Sequence, residues 1–345
     1  MVAALEHQVN VLTRAHEERH PDAARLLRSF KLASGSDEEI FATRLSVERA
    51  RELVAREHGF KDWAEVVRNG EPRIDARFEA AVDAIVGGDL GSVERLLKEA
   101  PHLARTRSAY PHHSTLLHHS SANGIEHTRQ WQSPANAPDI ARAVLAGGAD
   151  PDATCDVYGG GDSTTPLCLL VSSGPPDLAG VQDALVEVLC KGGANPDGLG
   201  GQRPLWTAIL FGYSRSAERL AACGASVDNI VFAAALGNLD LVKSYVAAGR
   251  ERLASPPSAQ RIGSTGPALL PDRMLEYALI YASGHARVDV VEYLLSLDPD
   301  LTVKEPTWGS TAIGWAKRYR EFNARLDDKE ATIRLLEAHG VAGGT

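Results

Sequence analysis

The sequence predicts an all-α fold, a solenoid of about seven helix–turn–helix units with a small helical cap at its N-terminal end. Three observations predict it. A closing phrase recurs: Ala-Gly-Gly-Ala-Asp-Pro-Asp at 146–152, Lys-Gly-Gly-Ala-Asn-Pro-Asp at 191–197, Ala-Cys-Gly-Ala-Ser-Val-Asp at 222–228 and Ala-His-Gly-Val-Ala at 338–342. An opening phrase precedes the inner helices: Thr115-Leu-Leu-His118, Thr165-Pro-Leu-Cys168, Arg203-Pro-Leu-Trp206 and, more weakly, Thr311-Ala-Ile-Gly314. Aromatic residues make up only 6% of the chain, which favours helices packed through small side chains over a sheet core. Internal repetition of this kind marks a stacked array.

Residues 1–73 lack both phrases and read as the cap. Val2–Phe30 and Leu45–Val67 are amphipathic helical runs, and their simplest role is to cover the apolar face of the first repeat. The array occupies 74–345, with units beginning near Phe78, Ser114, Thr164, Arg203, Asp228, Tyr277 and Thr311. In the closing phrase the glycine takes the left-handed conformation that ends a helix. The Asp or Asn after it starts a turn by bonding its own backbone. In the opening phrase the threonine caps the inner helix. Linkers at 125–138, 174–180 and 251–272 are enlarged; the last, rich in Ser, Pro and Gly, reads as a long finger or loop.

Taken together, Thr-Pro-Leu-His, a pair of small residues, Gly, paired Leu and Gly-Ala resemble the ankyrin repeat. The likeness is sharpest in units two to four. The run Arg56-Glu-His-Gly-Phe-Lys-Asp-Trp63 is similar to a short helical extension found ahead of bacterial ankyrin arrays. The resemblance implies a structural role for His118, hydrogen-bonded to neighbouring turns. It also implies that ligands contact the turns and the two residues before each inner-helix glycine. Here those are Ala122 and Asn123, Ser172 and Ser173, Leu210 and Phe211, Ala235 and Leu236, Gly284 and His285, and Arg318 and Tyr319. Trp206 stands where the family has histidine and reads as core.

Composition excludes several classes. The net charge of −9 disfavours a nucleic-acid partner. No apolar run approaches the ~20 residues of a membrane span, and the first residues carry no secretory leader pattern. Cys155, Cys168, Cys190 and Cys223 lie far apart without a CxxC pair, so neither disulfides nor a zinc knuckle is expected and a cytoplasmic setting is.

Five of the twelve histidines fall between 112 and 127: His112, His113, His118, His119 and His127. Without HExxH or Cys/His spacing no metal is expected there, and no cofactor elsewhere. A proton-transfer role is less demanding. His113, His119 or His127 would act as acid–base, oriented by Asp156 or Tyr158 on the next finger. Arg129, Gln130 and Trp131 in the adjacent insert offer a guanidinium, an amide and an apolar plate, with Asn123 close by.

Two functions follow as expectations. The first is a binding protein that recognises a protein or peptide through its turns and concave face, using Ser173, Phe211, Leu236, His285 and Tyr319. The second is an atypical enzyme or small-molecule binder with a histidine-rich pocket between units two and three, performing hydrolysis, isomerisation or elimination. An open surface would mark the first, and a closed pocket of about 300–1,000 Å³ holding the histidines would mark the second.

Overall fold

The structure is a computed structural model that describes residues 1–68, 74–121, 125–126, 128–130, 132–156, 164–249, 260–261, 264–265, 269–318 and 326–340. Five expected site residues, Asn123, His127, Trp131, Tyr158 and Tyr319, lie outside them. The chain divides into two compact units, Met1–Gly193 and Ala194–Thr345.

The first unit begins with the cap. Each long run expected there is broken once. Val2–Phe30 becomes α1 (Val2–Glu17) and α2 (Pro21–Ser29), parted where Arg19 turns left-handed (φ 58°) and Pro21 opens the next helix. Next come α3 (Asp37–Ala42), closed at its start by a Ser36–Glu39 capping box, and α4 (Val47–Glu57). The second run breaks after α4 at the left-handed Gly59 (φ 83°), before α5 (Trp63–Arg68). Leu5, Leu12, Leu27 and Leu53 form the cap core, and Tyr110 from the repeats joins it. The cap therefore seats on the second finger, whereas the sequence pointed only to the first repeat.

Three helix pairs follow in this unit: α6 (Ala76–Val86) with α7 (Leu90–Glu99), α8 (Leu116–Ser121) with α9 (Ala137–Ala146), and α10 (Pro166–Leu170) with α12 (Gln182–Lys191). The linker at 174–180 holds a short helix of its own, α11 (Gly174–Leu178), started by Pro175 and Pro176. The second unit contains four pairs: α13 (Pro204–Phe211) with α14 (Ser214–Ala222), α15 (Ile230–Ala235) with α16 (Leu239–Ala247), α17 (Met274–Gly284) with α18 (Val288–Leu295), and α19 (Ala312–Arg318) with α20 (Leu326–Ala338). Among the described residues the extended structure consists of isolated bridges Arg107–Thr115 and Cys155–Thr164 and a two-residue antiparallel pair, Gln260–Arg261 with Ser264–Thr265, inside the third linker. The fold is an all-α helical-repeat array.

Local chemistry explains the regularity. The closing glycines Gly148, Gly193, Gly224 and Gly340 all have φ between 85° and 99°. Behind them, Asp150 and Asn195 each accept a bond from the backbone N–H two residues on, at 3.0 Å. Thr165 caps α10 and Thr311 caps α19, each at 3.3 Å. Thr115 departs from this pattern, because its hydroxyl faces His118 Nδ1 at 2.8 Å. Fingers are tied side by side: Asp156 N donates to His112 O at 2.9 Å, and Arg107 donates to the carbonyls of His113 and Thr154. In the second unit Arg203 pairs with Asp228, and Asp197 accepts from Ser226 N at 2.7 Å.

The second unit's inner helices carry an aromatic ladder. Trp206 stacks on Phe232 at 5.8 Å and meets Tyr281 edge-on at 5.1 Å, and Tyr281 meets Trp315 at 5.1 Å. Trp206 is thus core. Gly284 leaves room for Trp315, whose ring lies 2.8 Å from where a Cβ would stand.

Two finger glycines separate conformational strain from crowding. Gly224 (φ 97°) has open space at its missing Cβ, whereas at Gly198 (φ 74°) a Cβ would strike the Gln202 carbonyl and the Pro204 ring. Gly224→Ala is expected to cost about 1 kcal/mol, the left-handed penalty alone. Gly198→Ala should cost at least about 2 kcal/mol more through overpacking. Urea denaturation of the two variants checks the difference, and equal midpoints would contradict the packing at Gly198.

Candidate functional site: a buried histidine–carboxylate–arginine cluster

The polar concentration noticed in the sequence folds inward, between cap and repeats. His58 ends α4, Tyr110 and His112 lie on the second finger, His119 is on α8, and Glu126, Thr128, Arg129 and Gln130 follow α8. Glu79 and Asp83 project from α6, and Gln8 from α1. His58, His112, His119 and Glu126 are all buried. Their rings are neighbours: His58 lies 5.8 Å from His112 and 4.4 Å from Tyr110, and His112 lies 6.2 Å from His119.

Arg129 is the cation of this region. Its guanidinium reaches Glu79 at 2.6 Å, Asp83 at 2.7 Å, Glu126 at 3.2 Å and the Glu79 carbonyl at 2.8 Å. Burial works to lower its pKa, but the three carboxylates outweigh it and raise the value. A side chain so fully engaged is not free to receive a substrate anion, which corrects the expectation for Arg129. Gln130 is likewise committed, donating to the His119 carbonyl at 3.2 Å.

The carboxylates respond to the same environment. Burial raises the Glu79 carboxyl above its usual value. Burial acts to raise Glu126, but the facing His112 ring, with His58 and His119 close by, holds it well below the usual carboxylate range. Tyr110 is pushed up by burial and then by Glu126.

The histidines divide by what their nitrogens touch. His118 accepts from Thr115 N at 3.1 Å and donates through Nε2 to the Thr164 carbonyl at 3.1 Å, the structural role the resemblance implied. His58 Nε2 donates to Gln8 Oε1 at 2.7 Å, and the same oxygen receives the Thr128 hydroxyl at 2.8 Å. His58 Nδ1, His112 Nε2 and His119 Nε2 are buried without a hydrogen-bond partner among the described residues. His112 Nε2 faces Glu126 Oε1 at 3.4 Å, too far for a well-formed hydrogen bond. Desolvation is the main cause that takes His58 down to about 4 and His119 to about 3, so both rings are neutral at pH 7.

Three further expectations change. His113 adopts a left-handed backbone (φ 50°) that leaves it exposed and turns its neighbour His112 inward. The expected facing of His113 and Asp156 is realised instead between backbone atoms, from Asp156 N to His112 O. His285 is not at a groove. It is buried, accepting from the Ser214 hydroxyl at 2.7 Å and donating to the Ile209 carbonyl at 3.0 Å. Ser173 is also buried and donates to Leu169 O at 2.8 Å. Phe211, Leu236 and Arg318 retain surface.

His58 and Glu79 were not singled out in the sequence, and His112 was counted among the clustered histidines but not chosen as a candidate. His58 lay in the cap and Glu79 on a helix with ordinary charge patterning, and neither carries a local motif. For His112, the doubled histidine was the signal, but alternate residues point opposite ways only once the turn is known.

Removing one partner from a buried ionic network leaves the others uncompensated, at a cost of about 3–5 kcal/mol. Arg129→Met should therefore destabilise the protein by about 3 kcal/mol, and adding Glu79→Gln should recover part of the loss, measured by denaturant unfolding. His285 supplies a pH test. Desolvation and then Arg287 lower it to about 3. The unfolded chain takes up this proton near pH 6.5 while the folded ring does not, so stability is lost as pH falls from about 6.5 toward 3. His285→Gln should show a shallower decline, losing about 2 kcal/mol less than wild type between pH 7.5 and 5. Parallel pH profiles would refute this.

No family model and no curated protein matches the chain. Among solved structures it is similar to the human ASB11 ankyrin repeat domain, with 17% identity and a TM-score of 0.39 over 76% of this chain and 99% of that one. It is also similar to the ankyrin repeat domain of Bcl-3, described as a unique member of the IkappaB protein family, with 18% identity and a TM-score of 0.35 over 74% and 97%. The helix pairs and left-handed finger glycines, not these likenesses, carry the description of the chain as an all-α array of helical repeats.

Proposed function

We propose that the chain is a cytoplasmic protein-binding scaffold that recognises a protein or peptide through the turns and inner-helix ends of its second unit. One observation carries the reading: an aromatic–basic surface cluster mounted on a stiff finger. Trp308, 36% exposed, meets Phe211 edge-on at 6.3 Å, and Phe211 stacks on Tyr213 at 6.4 Å. The Arg318 guanidinium lies 5.2 Å over the Trp308 ring. Trp, Tyr and Arg dominate binding hot spots because they bury much area at little entropic cost.

The finger is held from beneath. Glu305 is buried, and its carboxylate accepts backbone bonds from Thr307 at 2.7 Å, Trp308 at 2.9 Å and Ser310 at 3.2 Å. Charge-assisted bonds of this kind fix the turn before any partner arrives, and preorganisation lowers the cost of binding. Arg318 favours a partner segment with a carboxylate beside an apolar or aromatic side chain.

The acid–base enzyme reading draws less support. Its anion-binding residue is already neutralised, His113 faces outward, and the cluster's rings lie inside the packing. Among the described residues no helix is long and apolar enough to cross a membrane.

A photo-crosslinking residue placed at Phe211 or Trp308 in native cells should trap the same discrete protein adduct. The same residue at Glu292, exposed on the outer helix α18, should not. Glu305→Gln, which loosens the finger, should reduce the Phe211 adduct several-fold. Equal labelling at Glu292, or no shared adduct, would reject this surface.

A further inference from the structure

We propose that His58, His112 and Glu126 form a binding site for one divalent transition-metal ion of the zinc type, which clasps the cap to the second finger. This site is independent of the recognition surface above, lies in the other unit and concerns different residues.

The three side chains each offer one ligand atom, and these atoms lie within 4.8 Å of one another. They come from three separate stretches, the end of α4, the second finger and the turn after α8, so their convergence is a product of the fold. Ligands at about 2.0–2.1 Å from a tetrahedral ion stand about 3.4 Å apart. His112 Nε2 and Glu126 Oε1 stand 3.4 Å apart. That separation is long for a hydrogen bond and right for two ligands sharing an ion.

The outer partners suit the same role. His58 Nε2–H is fixed by Gln8 Oε1, which leaves a buried lone pair at Nδ1 with no partner among the described residues. Metal-bound histidines are oriented through their second nitrogen in this way. Glu126 Oε2 is held by Arg129, so Oε1 is the oxygen turned to the rings. A fourth position falls to water or to His119, whose Nε2 is also buried without a partner among the described residues.

His112 asks for one adjustment. Its Nδ1 accepts from Ser114 N at 3.2 Å, so without metal its proton sits on Nε2. Loading the ion moves that proton to Nδ1 and breaks this long bond, while ligand bonds form to His58 Nδ1, His112 Nε2 and Glu126 Oε1. Two imidazoles and one carboxylate suit zinc, cobalt or nickel, and disfavour calcium and magnesium, which take oxygen ligands.

The test uses the full chain without a polyhistidine tag, stripped with chelator and titrated with zinc or cobalt alone. One ion per chain is expected, with a four- or five-coordinate cobalt spectrum and a rise in the unfolding temperature. Glu126→Gln and His58→Ala should each weaken zinc at least about 10-fold to 100-fold, as ligand-sphere changes do. His113→Ala, on the exposed neighbour, should leave it unchanged. His58→Cys supplies a gain of signal, a thiolate-to-cobalt charge-transfer band in the near ultraviolet. Absence of stoichiometric binding by the wild-type chain overturns the proposal. So does binding that is weakened by His113→Ala but not by Glu126→Gln, or a folded His58→Cys protein whose cobalt spectrum lacks the thiolate band.

Discussion

The first unit depends on one compensation: the Arg129 guanidinium set among Glu79, Asp83 and Glu126. Glu126 is fully enclosed, and an isolated carboxylate in that position would be expelled or protonated. Because Arg129 neutralises it, the turn after α8 can fold inward and place Glu126 beneath His58 and His112. The inward turn in turn lets Tyr110 enter the cap core. Arg129 thus ties the turn after α8 to α6, while Gln8, bonded to both His58 and Thr128, ties that turn to the cap.

An apolar contact would hold the cap at least as strongly, since buried ion pairs seldom exceed well-packed hydrophobes in stability. What the polar junction adds is direction. Gln8 accepts from both His58 and Thr128, and Gln130 reaches the carbonyl of His119. Each bond fails if the cap slides by one residue along α1 or α4. Here the polar groups specify one seating of the cap.

The repeat array was legible because its determinants are local. Gly148, Gly193 and Gly224 needed no long-range information to be placed left-handed, and the Thr165 cap followed from three residues of sequence. The site was only half legible. The histidine concentration lies where the buried cluster forms and includes the buried His119, but His113, singled out in the sequence, is exposed and its neighbour His112 is buried. The direction of each ring is set by a left-handed backbone at a residue that is not glycine, which composition does not reveal. Arg129 looked available because Glu79 and Asp83 precede it by 50 and 46 residues. His285 looked like a groove residue by alignment, yet a partner 71 residues away draws it inside.

The second unit solves its packing with different chemistry, and that difference bears on function. Its inner helices are spaced by Trp206, Phe232, Tyr281 and Trp315 instead of by small residues and histidine. Wide aromatic spacers, with Gly284 admitting Trp315, fix the helix ends firmly. Phe211 ends one of these helices and Arg318 another, so their position against Trp308 is inherited from the ladder beneath. The proposed recognition surface, built this way, would need little rearrangement on binding, because the ordering cost has already been met in folding. Glu305 extends the same logic to the finger, where a buried carboxylate adds its bonds to those of the turn's backbone. In both units, then, a buried charge organises a turn that local sequence would leave loose: Glu126 turns its loop toward the interior, and Glu305 turns an aromatic ring toward solvent.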